Sequence, residues 1–466
     1  MSPRPSPASN ILDLIGETPL VVLRRVAEGL PYRLLAKLEF LNPGGSVKDR
    51  IGRAMIDRAE AEGRLRPGGT IIEATSGNTG VGLAMVAAVR GYRAIFVLPD
   101  KMSAEKIRLL RAYGARVIVT PSGLPPEHPM SHYSVARRLA ETIPGACYPN
   151  QYENEENPRA HYASTGPEIA RDAGPALAAV VGTVGTGGTM SGIGRYFKQH
   201  HPSVRIVGVD PAGSILAEFA RTGVRGSARP YLVEGIGEDL IPRTIDFSVI
   251  DEFVTVDDAE SFRMARRIAR EEGIFAGGSA GAAVAATIRW LSGRPVPEGS
   301  TIVTILPDSG DRYLSKFYSD EWLLEQGLGE ARGTAADLLA GKRGTPALVA
   351  VDPTTPVREA LRLLERHGIA QAPVLRGGEN VGSIHEDDLL RRMLADASTA
   401  DRGVGPLASP PFPEVADDAG LAQLVRLLRQ ERGVVVRPRA GGAPVGFLTR
   451  HDLLGYLSGG GTNDAV

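Results

Sequence analysis

Four short segments carry residues that could do chemistry together. In NPGGSVKDR (42–50), two glycines precede Ser46, a plausible helix N-cap, and Lys48 falls in the first helical turn. A lysine there opposes the helix macrodipole. Its charged form is disfavoured, which suits an amine that must act as a nucleophile. On that loop alone, a surface lysine on a capped helix is the better account. TSGNTG (75–80) is dense in small hydroxyls and backbone N–H groups, suited either to a carboxylate or to a plain polar turn. GTGGT (185–189) would let backbone N–H groups close on a phosphate, because glycines have no Cβ in the way. A dinucleotide fingerprint fails there, since Met190 stands where the third glycine is needed. No Walker lysine follows, so a compact monophosphate fits better. LPDSGDRY (306–313) ends another apolar run and presents Ser309, which alone would merely cap a turn. A lysine, a carboxylate cradle, a phosphate cup and a terminal serine together describe a site for pyridoxal 5′-phosphate and an amino acid.

The elements around these loops agree. Apolar, β-branched runs at 34–38, 70–74, 94–98, 116–120, 177–181, 205–209 and 301–306 read as strands buried on both faces. Amphipathic segments such as 47–63 and 103–114 alternate with them. Helices are also expected at 79–90 and 190–199. The alternation argues for an α/β architecture with mostly parallel sheets, whose ligands bind at the carboxyl ends of strands. The glycine-rich loops lie at those ends.

The chain has 466 residues, enough for two or three domains. Lys and Arg number 53 against 54 Asp and Glu, so nothing points to nucleic acid or a membrane surface. Cys147 is the single cysteine, which rules out an internal disulfide and fits a reducing, cytoplasmic setting. No apolar run suggests a signal peptide or a membrane span. His128, His132 and His161 read as connector or helix-surface residues rather than metal ligands. After residue 320 the character changes. VGSIHEDDLL (381–390) recurs as VGFLTRHDLL (445–454), and RLL at 362–364 recurs at 426–428, both with a 64-residue offset. Each copy reads as helix, strand, strand, helix, and two would bury their sheets together. The expected division is a catalytic domain at 1–320, a linker at 321–334, repeats at 335–400 and 401–460, and a tail at 461–466.

From ILDLIGETPL (11–20) through PDSGDRYLSKF (307–317), the sequence resembles the fold-type-II (tryptophan synthase β-like) pyridoxal phosphate enzymes. These have two α/β subdomains with parallel-rich sheets. Within them it is most similar to the cystathionine β-synthase family, and the repeat resembles its tandem CBS-domain (Bateman) module. The resemblance implies that Lys48 is the Schiff-base lysine and later the acid/base. It implies that Asn78 bonds the cofactor 3′-oxygen and that Gly185, Thr186, Gly187, Gly188 and Thr189 hold the phosphate. Ser309 would face the pyridine nitrogen. Thr75, Ser76, Thr79 and Gln151 would bind the substrate carboxylate, and Glu234 of VEGIGED (233–239) would be a substrate-facing acid. A solvated turn is the alternative for Glu234 and Glu238. The implied reaction is β-replacement of the serine hydroxyl by homocysteine thiolate, giving cystathionine and water. Cysteine synthase, using O-acetylserine and sulfide, is the alternative enzyme, and a non-catalytic ligand sensor on a decayed core is the alternative of another class. Glu238 departs from the family, whose animal and yeast members carry an aromatic there. A haem ligated through an N-terminal cysteine is not expected. In the repeat, Thr449 and Asp452 match ribose-contacting positions, so S-adenosylmethionine or another adenosyl ligand is implied. The first copy keeps Asp388 but has His385 in place of the threonine. Family members are homodimers or larger homo-oligomers.

Overall fold

The computed structural model describes residues 7–75, 77–125, 127–328, 333–342 and 344–458. The chain divides into two units, 1–318 and 319–466. The first unit runs β1 (Leu20–Val22), β2 (Arg33–Leu38), α1 (Lys48–Ala61), β3 (Thr70–Ala74), α2 (Asn78–Arg90), β4 (Arg93–Pro99) and α3 (Ala104–Ala112). It continues through β5 (Arg116–Thr120), α4 (His132–Thr142), β6 (Ala146–Cys147), α5 (Glu156–Ala163), α6 (Thr165–Ala173), β7 (Leu177–Thr183) and α7 (Gly188–His200). It closes with β8 (Arg205–Pro211), α8 (Leu216–Thr222), β9 (Glu252–Val256), α9 (Asp258–Glu272), α10 (Gly278–Ser292) and β10 (Thr301–Leu306).

Two sheets result, in the orders β1-β2-β10-β7-β8-β9 and β5-β4-β3-β6. Every pairing is parallel except β1 with β2. β3 and β10 are buried at every position, as near-continuous apolar runs require when helices cover both faces. All seven apolar runs form strands; β1, β6 and β9 are additional. α2 is buried from Thr79 through Ala87, so it carries no polar face and packs as a core helix. It approaches α1 through glycine: a Cβ on Gly82 would lie 2.8 Å from the Lys48 carbonyl oxygen, and one on Gly52 would lie 2.7 Å from the Gly82 carbonyl carbon. The start of α1 is anchored further by a buried ionic cluster. Arg50 donates to Glu39 at 2.8 Å and to Glu168 at 2.7 Å, and Lys37 donates to Glu168 at 2.7 Å. Burial opposes ionisation of Glu39, yet Arg50 and Lys37 hold its carboxyl down at about 2.

The second unit begins with α11 (Asp320–Glu325), followed by α12 (Ala335–Gly341). The segment expected as linker is therefore helical at its start, and Leu324 joins the unit's core. Two similar motifs follow. The first is α13 (Val357–His367), β11 (Gln371–Arg376), β12 (Glu379–His385) and α14 (Glu386–Ala395). The second is β13 (Glu414–Ala416), α15 (Leu421–Gln430), β14 (Val434–Arg437), β15 (Gly446–Leu448) and α16 (Arg450–Ser458). The 64-residue offset superposes their cores: Val357 on Leu421, Ala360 on Leu424 and Leu364 on Leu428, all buried. Each copy also has a leading parallel element, Val351 beside Val374 and β13 beside β14, that the expected helix–strand–strand–helix order omits. α12, expected with the first copy, packs Ala335 and Leu338 into the core of the second. Among the described residues no helix is long and apolar enough to cross a membrane.

Candidate active site

The loop before α1 joins the end of β10. Val47 N–H donates to the Pro307 carbonyl at 2.8 Å, and Ser46 pairs with Asp308 as an isolated bridge. Ser46 is not the N-cap; Val47 holds that position without a side-chain cap, and the Ser46 hydroxyl accepts the Lys48 N–H at 3.2 Å. Lys48 thus opens the helix itself. Its side chain lines a cleft of about 620 Å³ at the carboxyl ends of β7 and β10. Burial pushes its amine below the ordinary lysine value, against the pull of Asp308, Glu238 and Glu39.

Gly185, Thr186, Gly187 and Thr189 line the same cleft, where β7 turns into α7. Gly187 has φ +84° and sits against Ile245, while a Cβ on Gly188 would strike Asn157. Both positions require glycine. The threonine hydroxyls are tied: Thr186 accepts from Asn157 Nδ2 at 3.0 Å, and Thr189 meets His161 Nε2 at 3.1 Å. The first-turn N–H groups of α7 have no carbonyl within the helix, so they and the helix dipole are available to an anion. His161 is not a helix-surface residue. It is fully buried between Thr165 and Thr189, and burial and Arg50 drive its pKa to about 3, so the ring is neutral.

At the β3–α2 turn, buried Thr75 accepts the N–H groups of Gly77 at 3.0 Å and Gly80 at 3.3 Å. Thr79 donates to Gln151 Oε1 at 2.6 Å, so these residues, 72 apart in sequence, do converge. Ser76 lies outside the described residues. Gln151 is held by Glu73 beneath it, which accepts the N–H groups of Asn150 and Gln151. Asn78 lines the cleft. Glu234 also lines it but is no solvated turn: it is buried, and Lys106 donates to it at 2.7 Å while Lys316 pairs with its other oxygen. Burial raises its pKa, but the two lysines hold the carboxyl below the usual range. Glu238 is half-buried rather than solvated. Burial first, then Asp239, pushes its carboxyl up to about 8.

Ser309 is half-buried in the loop after β10, and its hydroxyl turns to Asp311 in the same loop. Ser279, buried in the first turn of α10, lines the cleft. Its GGSAG run (277–281) has the glycine–hydroxyl signature of the other loops. It follows no strand-like run, so strand-end reasoning passes over it. In the second unit, the Thr449 hydroxyl donates to Asp452 at 2.7 Å, and Lys342 pairs with the same carboxylate at 3.3 Å. In the first copy, Asp388 pairs with Arg391, and His385 packs edge-on against Phe412. Among the described residues no group of three or more His, Cys, Asp or Glu could hold a metal ion.

A desolvated amine, a glycine-walled anion cup at a helix N-terminus and an amide facing the same cleft fit pyridoxal phosphate. The family described as "Pyridoxal-phosphate dependent enzyme" matches residues 11–308, and "CBS domain" matches 344–395 and 404–459. Fold and cleft together define a fold-type-II pyridoxal phosphate-dependent enzyme followed by tandem CBS domains. Cystathionine beta-synthase of Saccharomyces cerevisiae is 37% identical over 96% of this chain and 98% of its own length. Cysteine synthase of Staphylococcus aureus strain N315 is 43% identical, over 66% of this chain and 96% of its own. The solved structure of O-ureido-L-serine synthase is 40% identical with a TM-score of 0.62, covering 72% of this chain and 99% of that one. The chain belongs to the cystathionine β-synthase family.

Proposed function

We propose that this enzyme condenses L-serine with L-homocysteine to give L-cystathionine and water, a β-replacement in transsulfuration and cysteine biosynthesis. The observation that carries it is the convergence of Lys48, the 185–189 cup and Glu234 on one cleft. Bound pyridoxal phosphate supplies the electron sink that stabilises charge at the substrate Cα. Gly185, Thr186, Gly187, Gly188 and Thr189 hold its phosphate through backbone N–H groups, and Asn78 donates to its ring oxygen. Ser309 faces the ring nitrogen; a neutral hydroxyl there tempers the electron sink and favours loss at Cβ over transamination. Thr75, Ser76, Thr79 and Gln151 orient the substrate carboxylate. Lys48 Nζ takes the Cα proton and later returns one, because desolvation keeps its neutral form accessible. Glu234, ionised between Lys106 and Lys316, faces the incoming amino acid.

The choice of thiol is supported by the yeast synthase, whose match runs through both units, whereas the cysteine synthase match covers 66% of the chain. Turnover of serine plus homocysteine should exceed that of O-acetylserine plus sulfide in kcat/KM. The reverse preference overturns this choice. The CBS module, we propose, takes an adenosyl ligand, S-adenosylmethionine foremost, with Thr449 and Asp452 at its ribose. Such a ligand would share or displace the Lys342 ion pair on Asp452. Calorimetric titration with S-adenosylmethionine, AMP and ATP tests this, and silence from all three removes it. A homo-oligomer in the cytoplasm completes the proposal; the absence of any possible internal disulfide supports the compartment.

A further inference from the structure

Beneath Asn78 lies a group that the proposed roles leave unused. Asp308 is 1% exposed. Its Oδ2 accepts Asn78 Nδ2 at 2.8 Å and the Tyr313 hydroxyl at 2.6 Å. Its Oδ1 is buried without a partner in the space that a Cβ on Gly277 would fill. On the other side of the amide, buried Arg312 donates through Nη1 to Asn78 Oδ1. A carboxylate only accepts and a guanidinium only donates. Turning the amide over would set oxygen against oxygen and N–H against N–H in a buried place, where unmade hydrogen bonds are most costly. One Asn78 N–H is used by Asp308; the amide nitrogen carries a second donor, and Asn78 lines the cleft.

We infer that Asp308 is a positioning residue: with Arg312 it clamps the Asn78 amide in the orientation that presents an N–H, and not a carbonyl, to the cofactor's ring oxygen. The cleft is thereby built for an oxygen that accepts, as the deprotonated ring oxygen of pyridoxal phosphate does. This rests on the reading that Asn78 contacts the cofactor.

The test is reconstitution with pyridoxal phosphate, measuring its dissociation constant and the absorption spectrum of the bound cofactor. Asp308→Leu should weaken binding about tenfold, the worth of one hydrogen bond to a charged acceptor, and shift the spectrum. Asp308→Asn, which keeps an acceptor oxygen, should recover most of both. Tyr313→Phe, which loosens Asp308 but leaves the Asn78 contact, should leave the spectrum unchanged. A spectral shift in Tyr313→Phe as large as in Asp308→Leu would assign the effect to general loosening and overturn the clamp. If Asp308→Leu does not fold, Arg312→Met answers in its place, since removing the opposite jaw must shift the spectrum the same way. Asn78→Ala separates the two claims. No change in Asn78→Ala removes the reading beneath the proposal. A change in Asn78→Ala with none in Asp308→Leu or Arg312→Met removes the clamp alone.

Discussion

Lys48 sits where a helix would rather not have a cation and water cannot fully reach it, and both effects favour the neutral amine. Lys48→Ala should reduce kcat by at least about 10²–10⁴-fold, the usual scale for a positioned acid–base group, in a steady-state assay with serine and homocysteine. Two buried acids beside the site have opposite pH signatures. Glu39 is held at about 2, below its unfolded 4.5, by Arg50 and Lys37 despite its burial. Its stabilisation is present above pH 4.5 and is lost as pH falls toward 2. Glu39→Gln should cost about 3–5 kcal/mol at pH 7, since it breaks a buried ion cluster, and the gap to the parent should shrink on acidification in urea unfolding. Glu73 is pushed by burial up to about 8, above its unfolded 4.5, against the two backbone N–H groups it accepts. Its contribution is present below pH 4.5 and lost as pH rises to about 8. The melting temperature of the parent should therefore fall relative to Glu73→Gln across that interval, and parallel curves would contradict it. Sequence alone singled out Lys48 only through the three other loops that make sense around the same ligand, since its place on a helix by itself favoured a surface residue. It had no means to find Glu39 or Glu73, whose pKa values depend on burial and on partners distant in the chain.

Loops at strand ends were legible because each leaves a local mark: glycine where a Cβ cannot fit and small hydroxyls where a helix begins. The cup at Gly187 and Gly188 is the clearest case, one with a positive φ and both hard against neighbouring side chains. What the pattern cannot report is which loops meet. Ser279 follows two glycines at the start of α10, and only the packing of that helix brings it to the cleft. The α1–α2 crossing is likewise invisible locally, since Gly52 and Gly82 belong to helices that read as ordinary amphipathic or apolar segments. Their contact seats Lys48 by bringing the Gly82 backbone against its carbonyl. Gly82→Ala should push the helices apart, destabilise by about 1–3 kcal/mol as overpacking does, and weaken pyridoxal phosphate binding in an equilibrium titration. Intact affinity in a folded variant would show that the crossing does not govern the site.

At the scale of the whole chain, the boundary between units falls between Tyr318 and Ser319, and α11 belongs to the second unit because Leu324 lies in its core. A fragment of residues 319–466 should resist urea better than one of 335–466, by about 1.5–3 kcal/mol for the burial of that one leucine side chain. Equal midpoints would show that α11 does not complete that core. The sequence by itself determined the alternation of strands and helices and the repeat, because hydrophobic period and internal self-similarity are properties of neighbouring residues. Only the tertiary structure decided that Gln151 meets Thr79, that Glu234 is an ionised buried acid between two lysines, that α12 completes the second repeat rather than the first, and that Ser279 lines the cleft. Each of those joins groups far apart in the chain, and the free energy that selects them is the burial of surfaces and charges that no local stretch contains.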